Sequence, residues 1–168
     1  MTYMEVMFGN KPVPLTDRPL ERGLVAPDFT LVNTKLQTVT LADFSRTFVV
    51  ISVVPSLDTG VCDYQTRTFN ERLGHFEDVD VLTVSVDLPF AQKRWCGLSG
   101  LDHVVTLSDH RDLDFGRKYG VLMAPLRLLA RAVFVLDKDR KIVYREYVRN
   151  VSDHPAYDEV VKLLECYH

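Results

Sequence analysis

Residues 48–54 read FVVISVV, an almost unbroken run of apolar, mostly β-branched side chains that stops at Pro55. Seven residues is strand length. A strand without polar alternation has to be buried on both faces, so it needs a packed layer above it and another below. VDVLTVSVD (79–87) is a second strand of this kind, and VVTLSD (104–109) reads as a third. Between the first two lies CDYQTRTFNERLGHF, whose Phe69, Leu73 and Phe76 fall at offsets of 4 and 3, marking one face of a helix. PFAQKRWCGL follows the second strand and begins with Pro89, a residue suited to a first helical turn. Strand–helix–strand alternation implies right-handed crossovers and a sheet covered by helices. DLDFGRKYG reads as a further short helix. RAVFVLD (131–137), the turn KDRK and IVYREYV (142–148) form an antiparallel hairpin, and HPAYDEVVKLLECY closes as an amphipathic helix burying Val160, Val161 and Leu164. Upstream, MEVMF, the turn Gly9-Asn10-Lys11 and PVPL make a hairpin, and FTLVN (29–33) with TVTLADF (38–44) a second strand pair ending in a helical turn. The expectation is an α/β chain: a central mixed sheet flanked by helices, with an N-terminal β-hairpin extension. At roughly 100–200 residues per domain, 1–168 is one domain.

Several function classes drop out on composition and pattern. Hydrophobic residues at 46% and charged residues at 26% exclude a disordered chain. Twenty basic against 23 acidic residues, a net charge of −3, give no electrostatic case for nucleic acid or an anionic membrane as partner. No run of ~18 apolar residues is available to span a bilayer. MTYMEVMFGN has neither a basic n-region nor an apolar h-region, which reads as a cytoplasmic protein without a secretory leader. No G-x-G-x-x-G follows a strand and no P-loop occurs. Three cysteines without a C-x-x-C pair, and five histidines with no i, i+4 spacing, argue against zinc; no metal or other cofactor is expected.

Ligands of open α/β sheets bind beyond the carboxyl ends of the strands. There the chain reads Pro55-Ser56-Leu57-Asp58-Thr59-Gly60-Val61-Cys62 and runs straight into a helix. With Thr59 as N-cap, its hydroxyl would satisfy an N–H near Cys62. Cys62 would then lie in the first turn, where free N–H groups and the helix dipole favour a thiolate, the reactive form of cysteine. An isolated cysteine in that place reads as a small buried hydrophobe; the turn around it favours the reactive thiol.

The pattern P-x-x-x-T-x-x-C at a strand-to-helix turn resembles the active-site motif of peroxiredoxins. PSLDTGVC, DLPFAQKRWCG and LARAVFVLD, with the GNKPVPL hairpin and LSD…FGRKYGV, resemble the thiol peroxidase subfamily, the atypical two-cysteine peroxiredoxins, over nearly the whole chain. Departures are Leu57, where the family more often has isoleucine, Leu98-Ser99, and Cys166, which belongs to no motif. The resemblance implies a thioredoxin-like fold and a thiol-dependent peroxidase acting on hydrogen peroxide and organic hydroperoxides. It makes Cys62 the peroxidatic nucleophile, with Thr59 offering its hydroxyl to thiolate and peroxide and Pro55 shielding the pocket from water. Arg131 would stabilise the thiolate and polarise the peroxide; without the motif it reads as a strand-edge surface arginine. Cys96 would resolve the sulfenic acid through an intrachain Cys62–Cys96 disulfide; on spacing alone it reads equally as a helical cysteine packed on the sheet. Trp95 reads as core or hinge packing and Cys166 as a bystander. Thioredoxin as reductant and a homodimeric assembly are further implications.

Other thiol chemistries fit less well. Cysteine-dependent phosphatases need Cys-x5-Arg, but only four residues separate Cys62 from Arg67. A dithiol oxidoreductase needs C-x-x-C, and Gln65 stands where its second thiol would be. A non-enzymatic redox sensor or interaction module on a thioredoxin fold is the remaining alternative; it predicts no peroxide consumption and indifference to replacing Cys62.

Overall fold

The computed structural model describes residues 4–101 and 104–168; residues 1–3, Asp102 and His103 lie outside the described residues. Along the chain, β1 (Glu5–Phe8) and β2 (Lys11–Pro14) form the N-terminal hairpin, and β3 (Thr30–Val32) and β4 (Thr38–Thr40) the second pair, followed by a 3-10 turn at Leu41–Asp43. Then come β5 (Phe48–Val53), α1 (Gly60–Leu73), β6 (Val79–Ser85), α2 (Pro89–Ser99), β7 (Val105–Ser108) and α3 (Asp114–Lys118). β8 (Leu122–Met123) and β9 (Leu128–Leu129) make a small hairpin, β10 (Ala132–Leu136) and β11 (Ile142–Tyr147) a larger one, and α4 (Tyr157–Cys166) closes the chain.

The expected mixed sheet is present, seven strands in the order β11-β10-β5-β6-β7-β3-β4. β5 pairs parallel with β6 and antiparallel with β10, and every one of its residues is buried. Two differences from the sequence expectation have local causes. The helix ends at Leu73 rather than reaching Phe76, since Gly74 closes it; Phe76 still packs into the same cluster from the following turn. β8 and β9 went unforeseen because two-residue strands carry no readable periodicity.

The two faces of the sheet are unequal. On one, Val49, Ile51, Val53, Leu82, Val84, Leu107 and Phe134 meet the hairpin residues Val6 and Val13 and the rings of Phe115 and Tyr119 in a large apolar core. On the other, Val50, Val79, Val133 and Val135 receive Phe69 and Leu73 of α1 and Val160, Val161 and Leu164 of α4. Side chains alternate along a strand, so this second face continues toward the strand ends as Ser52, Thr83, Ser85 and Thr106, all buried. Ser52, Thr83 and Thr106 lie side by side in the register of β5, β6 and β7. The floor beneath the start of α1 and beneath α2 is therefore polar.

Two positions in this frame generate tests. Gly120 holds φ at +67°, and a Cβ there would sit 2.5 Å from the carbonyl oxygen of Arg18. Backbone does not yield as a side-chain tip does, so Gly120→Ala is expected to lower stability by about 2 kcal/mol or more in urea unfolding; an unchanged midpoint would contradict the close approach. Asp109 accepts the N–H groups of Phe115 and Gly116 at 3.1 and 2.8 Å, and burial outweighs those bonds, pushing its carboxyl from 3.8 up to about 6. Between about pH 4 and 6 the folded form holds a proton that the unfolded form has lost, so this contribution to stability falls as pH rises through that window. The stability of the parent relative to Asp109→Asn should decline there by on the order of 2–3 kcal/mol and stay flat above it. A difference that did not change between pH 4 and 7 would refute the raised carboxyl.

Candidate active site

Pro55 ends the buried strand, and the chain turns through residues 56–59 into α1. Thr59 occupies the N-cap position with extended backbone, as expected, and its carbonyl accepts the first helical bond from Asp63 N–H at 2.9 Å. Its hydroxyl does not cap. It donates instead to the Ser56 carbonyl at 3.3 Å, because the loop turns that carbonyl toward it; the expected bond to an N–H near Cys62 is absent from this structure. Cys62 is the third helical residue, fully buried against Val54 and Leu57, with Trp95 packed on the same small cluster.

Arg131 approaches from the residue before β10. It is 2% exposed, far from the surface arginine that its position alone suggests. Its Nη2 donates to Cys62 Sγ at 3.3 Å and to the Val151 carbonyl at 2.7 Å. Nε reaches the same carbonyl at 3.0 Å, and Nη1 donates to Gln65 Oε1 at 2.9 Å. Four bonds fix the guanidinium plane against the sulfur, a geometry suited to holding a thiolate and a polarised oxygen together. The N-terminal hairpin maintains the acceptor: Met7 N–H donates to the Arg149 carbonyl at 2.7 Å, and Val151 N–H to the Met7 carbonyl at 3.0 Å.

Arg131 also lines a mostly apolar cavity of about 350 Å³, bounded further by Pro55, Thr59, Val151, Phe8 of β1 and Leu128 of β9. Three of the sequence-predicted site residues, Pro55, Thr59 and Arg131, thus line one cavity, and the buried Cys62 is joined to it through its bond with Arg131. Cys96 stands apart. It is half-buried on α2, and its Sγ lies 3.6 Å from Thr106 Oγ1 on β7. Cys62 and Cys96 are both free thiols here, and Cys166 is exposed at the end of α4.

Two residues of the site escaped sequence reasoning. Gln65 links Arg131 to the sheet, its Nε2 donating to Ser52 Oγ at 2.8 Å. The available signal was a polar residue three positions after Cys62, on the helical face that also carries Phe69. Asp87 ties down the loop: Oδ1 accepts from Ser56 Oγ at 2.8 Å, and Oδ2 accepts from Leu57 N–H at 2.8 Å and Ser85 Oγ at 2.7 Å. No local pattern points to it, since Ser56 and Leu57 come from a different crossover.

Comparison with known proteins shows the family. A family model described as Redoxin matches residues 21–161. The thiol peroxidase of Staphylococcus aureus (strain MRSA252) is 56% identical over 154 residues, covering 92% of this chain and 93% of that one. The thiol peroxidase of Bacillus subtilis (strain 168) is 51% identical over 158 residues, 94% and 95% of the two chains. The crystal structure of a peroxiredoxin-like protein from Aquifex aeolicus superposes with a TM-score of 0.90 at 40% identity, over 98% of this chain and 97% of that one. With a thioredoxin-like sheet, a cysteine at the head of its first long helix and likeness of this extent, the chain belongs to the redoxin family, among its thiol-dependent peroxidases.

Proposed function

We propose that Cys62 is the peroxidatic nucleophile, supported by Arg131, Thr59 and Pro55, and that Cys96 is the resolving thiol. The observation that carries the reading is the buried guanidinium 3.3 Å from a buried cysteine sulfur at the head of a helix. The thiolate attacks the terminal peroxide oxygen. An S–O bond forms as the O–O bond breaks, the sulfur losing two electrons and the peroxide gaining them; the departing alkoxide takes up a proton and leaves as alcohol. Arg131 holds the negative charge as it moves from sulfur to the leaving oxygen. Thr59, on the cavity wall, swings its hydroxyl from the Ser56 carbonyl to the peroxide. Phe8, Leu128 and Val151 offer apolar surface that an alkyl group covers and hydrogen peroxide does not, so organic hydroperoxides are the better substrates in this reading.

The Cys62 sulfenic acid then condenses with the Cys96 thiol, forming the S–S bond and releasing water. Cys62 faces Arg131 next to β10, and Cys96 faces Thr106 on β7, three strand spacings or ~14 Å across the sheet. A disulfide tolerates Cα separations of only about 4.4–6.8 Å, so resolution requires α2, and the first turn of α1, to unwind. Thioredoxin returns the disulfide to two thiols by exchange. The exposed Leu88, Phe90 and Leu98 around Cys96 give such a reductant an apolar landing surface. A homodimer, and a reducing cytoplasmic setting that keeps three thiols free, complete the reading; sedimentation of the purified chain tests the former.

Replacing the sulfurs separates the two roles. Cys62→Ser should fold normally and reduce cumene hydroperoxide no faster than background, since a hydroxyl is not ionised near neutral pH; retention of more than a few per cent of activity would reassign the nucleophile. Cys96→Ser should complete one turnover and stall as a sulfenic acid that a trapping reagent captures at Cys62. For the cation, Arg131→Ala is expected to slow single-turnover oxidation of Cys62 by about 10²–10³-fold, the scale of losing one charge-stabilising donor. Arg131→Lys should recover little of it, because one ammonium cannot replace four directed bonds. A rate within threefold of the parent would remove Arg131 from the attack step.

A further inference from the structure

α2 is held to the rest of the molecule in an unusual way. Only Pro89, Gln92 and Ser99 of its residues are buried, while Phe90 is 68% and Leu98 79% exposed. Its floor is the polar row of Thr83 and Thr106, and Gln92, although buried, leaves its Oε1 without a partner among the described residues. α4 shows the usual alternative, seating Val160, Val161 and Leu164 on the apolar part of the same face. Apolar burial thus contributes little to keeping α2 folded.

A compact polar cluster joins α2 to α1 instead. Asp63 Oδ1 accepts from Trp95 Nε1 at 2.8 Å, and Asp63 Oδ2 from Arg67 Nε at 2.9 Å. Arg67 Nη1 donates to the Ser99 carbonyl at 2.7 Å, and its guanidinium lies 5.4 Å over the Trp95 ring. Asp63 directly follows Cys62, and Trp95 directly precedes Cys96. The residues that fasten the two helices are therefore the chain neighbours of the two sulfurs, and their contacts cannot survive when both sulfurs leave their present positions.

Resting on the reading that Cys96 resolves Cys62, we propose that Asp63, Arg67 and Trp95 are positioning residues for the resolving step: they form a latch whose opening limits disulfide formation. The latch sets how the sulfenic acid divides between two fates. Condensation with Cys96 gives the disulfide and water. Reaction with a second hydroperoxide transfers another oxygen to Cys62, giving sulfinic acid and alcohol. A tight latch favours the second fate as peroxide rises; a loose one favours the first.

The test uses the full chain and cumene hydroperoxide. Trp95 is the single tryptophan, so its fluorescence follows α2 leaving α1. Arg67→Ala removes the ion pair, the carbonyl bond and the ring contact. It is expected to accelerate disulfide formation about five- to tenfold, and to raise by the same factor the peroxide concentration that half-converts Cys62 to sulfinic acid. The rate of sulfenic acid formation stays at the parent value. Arg67→Lys, which keeps one cation beside Asp63, should fall between. Trp95→Phe, followed by quenching and mass analysis, should shift the same partition without the Nε1–H donor, independently of whether Arg67→Ala folds well. Unchanged disulfide formation in well-folded Arg67→Ala and Trp95→Phe would overturn the latch while leaving the roles of the two cysteines intact. Absence of a Cys62–Cys96 disulfide in the unaltered protein would overturn the resolving role of Cys96 itself, and the latch with it.

Discussion

A guanidinium taken out of water is among the most costly groups a protein can bury, and it stays buried only where every face of it finds an acceptor. Arg131 meets that condition through the Val151 carbonyl, used twice, the Gln65 amide oxygen and the Cys62 sulfur. The architecture around the site follows from supplying those acceptors. β10 delivers the arginine from the edge of the most buried strand. α1 carries both the sulfur and the amide oxygen on one face, three residues apart. The segment after β11 brings the carbonyl, and β1 pins that segment in place. The N-terminal hairpin is thus part of the structure that holds Arg131 and not an appendage to it.

The same economy explains the contrast between the two faces of the sheet. The face carrying Phe115, Tyr119 and Phe134 is packed with rings and branched chains and makes the permanent frame. The opposite face is apolar only under α4 and the later turns of α1. Where the cysteines sit, it carries hydroxyls and amides: Ser52, Thr83, Ser85, Thr106, Gln65 and Gln92. Hydrogen bonds made there can be exchanged for bonds to water at small net cost, unlike buried methyl groups. A rigid half and an exchangeable half coexist in one layer, and the proposed reaction, in which the two thiols must meet, would use the boundary between them.

Much of this was legible in the chain itself. The runs at 48–54, 79–87 and 131–137 announced a buried sheet, and the 69–73 spacing the helix that crosses it. Cys62 was readable as a first-turn cysteine from Pro55 and Thr59. Arg131 was readable only through family likeness, since a charged residue before an apolar strand looks like surface until the strand's neighbours are known. Gln65 and Asp87 were illegible for a common reason: each acts on groups brought near by strand pairing that no local periodicity encodes, the antiparallel pairing of β5 with β10 for Gln65 and the parallel register of β5 with β6 for Asp87. The direction of the Thr59 hydroxyl is a rotor choice between two acceptable bonds, and sequence does not decide such choices. Two-residue strands such as β8 fall below any pattern length, yet β9 supplies a wall of the cavity.

The bonds from Met7 to the 149–151 segment join an early strand to a segment that follows the last one, and they have a meaning for biosynthesis. β1 leaves the ribosome well before the Val151 carbonyl, so the hairpin waits for its partner while the strands of the sheet are made. Until that partner arrives, Arg131 lacks the acceptor that it uses twice, and of its four bonds only those to Gln65 and Cys62 can form. On the roles proposed for Cys62 and Arg131, the full set of contacts around the sulfur therefore forms only after the helix that carries Cys96 has been made.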